Sequence, residues 1–146
     1  MTNHIRDITW DEIYKIWHNH LWPNRPSPIE SHSAMMYLSG HNIDNFKFKP
    51  HFIGYFSNDK LVGVNSGHKC IDGSYRSRGL WVHPDHRGQG LGQMLLRQII
   101  EFKGNAHFVW SYPRQTSWST YENVGFKRTS DWQASETSEA NAFCIL

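Results

Sequence analysis

Trp81 to Ile100 read WVHPDHRGQGLGQMLLRQII. Gly88, Gly90 and Gly92 stand at alternate positions between an apolar run and an amphipathic one. Glycine weakens regular structure and is favoured where the backbone turns sharply or lies against something. Downstream, Leu91, Leu95, Ile99 and Phe102 form one helical stripe, widened by Met94, Leu96 and Ile100. Gly104 is expected to close that helix. A strand, a glycine-rich turn and a helix leave unpaired N–H groups at the helix start, where the helix dipole adds partial positive charge. With no Cβ in the way, an oxyanion can rest directly on those amides. Arg87 adds a full charge beside them, so the residues imply an anion site, with phosphate as the leading ligand. A dinucleotide fingerprint would need glycine at Gln93 or Leu95, and a nucleotide P-loop would need Gly-Lys-Ser/Thr; neither occurs.

Working outward, HIRDI at 4–8 reads as a short first strand. Thr9 and Glu12 form a capping box, and Trp10, Ile13, Tyr14, Trp17 and Leu21 follow at helical spacing, so a helix is expected over 10–21. Ser27, Pro28 and Glu30 give a second capping box, from which a helix is expected to run to Leu38. HFIGYF and KLVGVNSGHKC flank the turn residues SNDK, and Asp72-Gly73 marks another hairpin, so residues 51–83 read as an antiparallel meander of three strands. HFVWSY is a further strand, stopped by Pro113. TSWSTYENVGF reads as a short helix closed by Gly125, and GFKRTSDW and NAFCIL as a final strand pair across a polar loop. The order predicts an α/β (α+β type) fold: a mixed, mostly antiparallel central sheet with helices on its faces.

The chain has 146 residues, 38% hydrophobic and 14% aromatic, which suits a single domain spanning 1–146. The net charge is +2 and Lys and Arg are scattered, so composition alone does not suggest nucleic acid, and none is expected as a partner. Cys70 and Cys144 form no Cys-x-x-Cys pair and read as reduced thiols at half-buried strand positions. His83, Asp85 and His86 have metal-like side chains, but turn formation explains them, and no metal is expected. Arg76 and Arg78 read as a solvated strand face or as counter-charges for phosphates. No apolar leader or membrane-length run occurs, so a cytoplasmic protein without membrane association is expected.

Arg87-Gly88-Gln89-Gly90-Leu91-Gly92 resembles the acetyl-CoA pyrophosphate loop of the GNAT superfamily of N-acetyltransferases, whose pattern is Arg/Gln-x-x-Gly-x-Gly/Ala. Tyr121, Gly125 and Phe126 are similar to that family's Tyr-x-x-x-Gly-Phe segment, and the element order matches its fold along nearly the whole chain. The resemblance implies a sheet splayed between its fourth and fifth strands, with acetyl-CoA as acyl donor and no metal. It implies that the amides of Gly88, Gln89, Gly90, Leu91 and Gly92, with Arg87, hold the pyrophosphate. Leu80, Trp81 and Val82 would pair with the pantetheine arm as an added strand. Tyr121 would protonate the departing thiolate. Alone, Tyr121 reads as a core aromatic; its place four residues before Gly125-Phe126 favours the catalytic role.

Two positions depart from the family pattern. Arg114 stands where the family often has an Asn toward the pantetheine. Arg76 lies near the place where some members carry a glutamate base, and YRSRGLWV holds no acid. His68, His83 or a relayed water could act as base. The function implied is transfer of an acetyl group from acetyl-CoA to a primary amine of a small molecule or peptide, by direct attack in a ternary complex. The alternative is a catalytically weak acyl-CoA-binding sensor or interaction module. The family offers both monomers and homodimers.

Overall fold

A computed structural model describes residues 3–26, 29, 35–37, 41–43, 50–70, 72–134 and 139–146. Seven strands form the main sheet: β1 (His4–Asp7), β2 (His51–Ser57), β3 (Lys60–Lys69), β4 (Tyr75–Val82), β5 (Val109–Ser111), β6 (Lys127–Arg128) and β7 (Cys144–Ile145). Their spatial order is β1-β2-β3-β4-β5-β7-β6, and every pairing is antiparallel except β4 with β5. Helix α1 (Trp10–Ile16) covers one face; α2 (Leu91–Ile100) and α3 (Trp118–Val124) cover the other.

The expected meander forms. Asn58 and Asp59 both take positive φ, 51° and 65°, which matches the right-handed twist of the hairpin they join. Gly73 (φ 86°) completes the second turn, where the Asp72 carboxylate accepts from the Ser74 N–H at 3.0 Å. The Thr9–Glu12 capping box is made in both directions at 3.1 and 2.9 Å. Helix α1 then widens into a π-helical turn, Trp17–Leu21, in which the Trp22 N–H reaches back to the Trp17 carbonyl at 2.7 Å.

One expectation fails. Met35–Tyr37, assigned from the sequence to a helix ending at Leu38, is a strand paired antiparallel with His41–Ile43. Cross-strand pairing outweighs the local helix signals there, as tertiary context often does. The capping residues Ser27, Pro28 and Glu30 lie outside the described residues. Cys70 and Cys144 are free as expected but buried rather than half-buried. Burial pushes the Cys144 thiol up to about 12 and raises that of Cys70, which keeps both protonated and unreactive.

The two faces have separate cores. Leu91, Leu95, Leu96 and Ile99 from α2 pack with Tyr121 against Ile53, Val62, Tyr75 and Val109. Ile13, Trp17 and Leu21 pack against Phe56, Val64 and Trp81. A bulge decides which face each β4 side chain takes. Val64 pairs with Trp81 and Ser66 with Arg78, so Gly79 and Leu80 together oppose Asn65. Leu80 and Val82 therefore face α2, whereas Trp81 joins Arg78 on the α1 face. Gly79 has φ 80°, its carbonyl accepts from Trp17 Nε1 at 2.8 Å, and a Cβ there would lie 2.4 Å from the indole. Gly79→Ala is expected to cost about 3 kcal/mol, from backbone strain and overpacking together. Chemical denaturation measures it; a loss below about 1 kcal/mol would show that the bulge relaxes freely.

Candidate active site

The sheet opens where the sequence resemblance implies. β4 and β5 pair only at Tyr75–Val109 and Arg76–Trp110. Ser111 Oγ donates to the Ser77 carbonyl at 2.7 Å, the last link across the pair. Beyond it, the Tyr112 carbonyl accepts from Asn141 Nδ2 at 2.9 Å and the Pro113 carbonyl from the Ala142 N–H at 3.2 Å. The chain after β5 is thus drawn toward the C-terminal strand, away from β4. On β4, His83 N–H donates to the Val62 carbonyl, so strand alternation turns the backbone of Val82 to the gap. Arg87 Nε donates to that Val82 carbonyl at 2.8 Å.

A cavity of about 860 Å³ fills the gap. The glycine loop forms one end of it. Gly88 and Gly90 take φ of 78° and 80°, and a Cβ at either would meet no protein atom within 4 Å. Their conformation, not crowding by the protein, selects glycine. Gly90 caps α2, and its carbonyl accepts the first helical bond from Met94 N–H, which leaves the preceding amides unpaired within the helix. Gly92 has a different cause: a Cβ there would lie 3.2 Å from Thr120 Cγ2, so it permits close packing of α2 on α3. Gly88, Gly90, Leu91, Gly92 and Arg87 line the cavity, as does Gln93, which the sequence did not single out; Gln89 is not among the lining residues.

Leu80, Trp81 and Val82 form one wall and Tyr121 projects from α3 at the other side. Tyr121 is 3% exposed. Burial raises its pKa, Cys144 adds to the rise, and a hydrogen bond with Ser111 and the charge of Arg76 oppose it. The phenol stays protonated and able to donate. The segment around it also has a structural role. Gly125 (φ 117°) ends α3 with its N–H on the Tyr121 and Glu122 carbonyls, and Phe126 turns back against the Tyr121 ring at 5.6 Å.

Arg114 borders the cavity, but its side chain is committed to protein groups. Nη2 donates to the Leu21 carbonyl and Nη1 pairs with Glu139 at 2.9 Å, tying the end of the π-helical turn to the last loop. Asn141, opposite Arg114 across an isolated bridge, borders the same wall with a buried Oδ1 that has no hydrogen-bond partner among the described residues. Nothing in the sequence marks it, because a lone Asn at the start of an expected strand carries no motif.

The two histidines named as possible bases do not line the cavity. His83 Nδ1 accepts from the Asp85 N–H at 3.1 Å and caps the short turn Pro84–His86. His68 is 1% exposed on β3, opposite Arg76. Arg76 and Arg78 are not a solvated face: they are 5% and 2% exposed, Arg78 beneath Trp17, Trp22 and Ile29 and Arg76 against Trp110.

Burial, then the charges of Arg76 and Arg78, holds the His68 pKa well below the ordinary 6.5. The folded state keeps His68 neutral, while the unfolded chain takes up its proton below about pH 6.5. Stability is therefore expected to fall as pH drops below 6.5, by up to about 1.4 kcal/mol per pH unit from this group. Denaturation at pH 7.5 and 5.0 should show the loss, and His68→Gln should reduce the slope by about one proton. An unchanged slope in that variant would assign the acid sensitivity elsewhere.

Residues 9–126 match the family model for the Acetyltransferase (GNAT) family, and the chain belongs to that family. Its fold is that of many GNAT structures. Escherichia coli ElaA superposes with a TM-score of 0.72 at 13% identity, over 97% of this chain and 99% of its own. The ribosomal-protein-S18-alanine N-acetyltransferase of Escherichia coli gives 0.64 at 16% identity, over 99% and 93%. A Bacillus anthracis protein solved in complex with acetyl coenzyme A gives 0.64 at 14% identity, over 100% and 98%. At such identities the likeness concerns the fold. No curated protein sequence matched the chain. Among the described residues, no helix is long and apolar enough to cross a membrane.

Proposed function

We propose that the protein transfers an acetyl group from acetyl-CoA to a primary amine, by direct attack within a ternary complex. The observation that carries this reading is the continuity of one cavity from the open amides of the glycine loop, along the free edge of β4, to the buried phenol of Tyr121. In this reading the amides of Gly88, Gly90, Leu91 and Gly92, with Arg87, hold the pyrophosphate at the start of α2. The free edge of β4 at Leu80–Val82 pairs with the pantetheine arm. The Val82 N–H polarises the thioester carbonyl. The amine nitrogen attacks that carbon, the C–N bond forms, the C–S bond breaks, and Tyr121 gives its proton to the sulfur. The amine arrives as free base, and the proton its nitrogen loses on forming the amide passes through water and restores the Tyr121 phenol; neither His68 nor His83 reaches the cavity, whose lining histidines are His20 and His86. A binding module without turnover is the alternative, favoured by the absence of a carboxylate base on β4.

Thiol release from acetyl-CoA against a panel of primary amines separates the two. Turnover that depends on the amine and forms an N-acetyl product is the expected result. Tight acetyl-CoA binding with no amine-dependent release would favour the module.

A further inference from the structure

The inner end of the cavity holds more positive charge than acetyl-CoA transfer alone explains. Arg76 and Arg78 both line it, two residues apart on β4 and hence on one face. The Arg78 guanidinium lies 5.0 and 4.9 Å from the ring centres of Trp17 and Trp22, and its Nη2 donates to the Ile29 carbonyl at 2.9 Å. Arg76 lies 4.9 Å from the ring centre of Trp110. Among the described residues, Nε and Nη1 of both arginines are buried without a hydrogen-bond partner. Arg25 also lines the cavity and is near enough to oppose both charges. Among the described residues, Glu139 is the sole carboxylate on the cavity wall, and it is paired with Arg114.

A buried cation is tolerated when a partner offsets its desolvation. Two adjacent guanidinium groups with unused donors call for an acceptor-rich anion. The pyrophosphate is placed too far away to be that anion. Arg78 precedes Val82 by four residues, about 13 Å of strand, and the glycine loop lies beyond Val82. In the acetyltransferase reading the two arginines lie farther along β4 from the glycine loop than the thioester position at Val82, on the part of the cavity wall left to the acceptor.

We infer that Arg76 and Arg78 bind an oxyanion carried by the acceptor, so that the substrate is an amine that also bears a carboxylate or a phosphoryl group. This rests on the acetyltransferase reading above. The two planar groups, each beside an aromatic ring, suit a bidentate oxyanion. They would fix the amine end toward the thioester, and they disfavour polyamines and other cationic acceptors by repulsion.

The test uses wild-type protein and matched acceptors: amino acids against their carboxamides, and an aminoalkylphosphonate against its diethyl ester. The rate of thiol release gives kcat/KM for each. The anionic member of a pair should exceed its neutral partner by about 100-fold, the loss expected for two charge-assisted hydrogen bonds. The carboxylate and phosphonate arms tell which oxyanion the site prefers. Amidation also makes the amine a weaker base, which raises its free fraction, so that bias runs against the expected result. Arg76→Gln and Arg78→Gln should erase the preference and leave the calorimetric affinity for acetyl-CoA unchanged. Because a buried arginine variant can misfold, a second readout uses the wild type alone. With CoA present, succinate or inorganic phosphate should change the tryptophan fluorescence saturably, and succinamide should not. Equal kcat/KM within every pair, or no saturable response to either anion, overturns the inference while acetyl transfer stands. No thiol release with any amine, or no acetyl-CoA binding, overturns the acetyltransferase reading first and the acceptor assignment with it.

Discussion

Gly90→Asp is expected to weaken acetyl-CoA binding by at least about 100-fold without unfolding the protein. Two effects add. At φ 80° any L side chain is strained, although Asp is among the residues that best tolerate that region. The larger effect is electrostatic. A Cβ at Gly90 projects into open space in the cavity, so the carboxylate would occupy the volume assigned to the pyrophosphate. Two like charges about 5 Å apart repel by about 3 kcal/mol at the effective dielectric of a protein surface, which alone corresponds to about 150-fold. The fold should survive, because Asp is a favoured N-cap and suits the positive end of α2. Gly90→Ala separates the contributions: it keeps the backbone strain and lacks the charge, so its loss of affinity should be much smaller. The measurement is calorimetric titration, with thermal denaturation as the check on folding. Near-wild-type affinity in Gly90→Asp would mean that the phosphates lie elsewhere.

Tyr121→Phe is expected to lower kcat by about 100-fold with little change in the affinity for acetyl-CoA. The ring is buried against Phe126 and the α2 core, and phenylalanine retains that packing. The variant loses the hydroxyl and its hydrogen bond with Ser111, so the stability cost should be about 1 kcal/mol or less. A general acid acts on the departing thiolate only as the C–S bond breaks, which is why kcat and not binding should respond. Equal loss of affinity and turnover would make Tyr121 a wall of the cavity. Unchanged turnover across a broad amine panel would exclude it as the acid.

The parts of this fold legible in the sequence are those with local causes. Turn residues at Asn58-Asp59 and Asp72-Gly73 marked the meander, Thr9 and Glu12 marked the start of α1, and the glycines marked the entry to α2. The glycine loop was read as a unit, but its members differ: Gly88 and Gly90 serve backbone conformation, and Gly92 serves helix packing. Features set by distant partners were not legible. Met35–Tyr37 carried helix signals and became a strand because His41–Ile43 supplied a pairing edge. A single Gly79 gave no sign that it would hold the bulge, since its reason is Trp17, 62 residues away. Arg76 and Arg78 alternate as solvated side chains do, and only the cover supplied to Arg78 by Trp17, Trp22 and Ile29 and to Arg76 by Trp110 shows that they are enclosed. Asn141 gained its place on the cavity wall through bridges to Arg114 and Gln133, partners the sequence does not mark.

The most direct measurement is calorimetric titration of the wild-type protein with acetyl-CoA and with desulfo-CoA. Both are expected to bind with one-to-one stoichiometry, since the pyrophosphate and pantetheine contacts do not require the sulfur. Heat from neither ligand would contradict this: the splayed sheet and glycine loop would then belong to a GNAT fold that has ceased to hold an acyl donor.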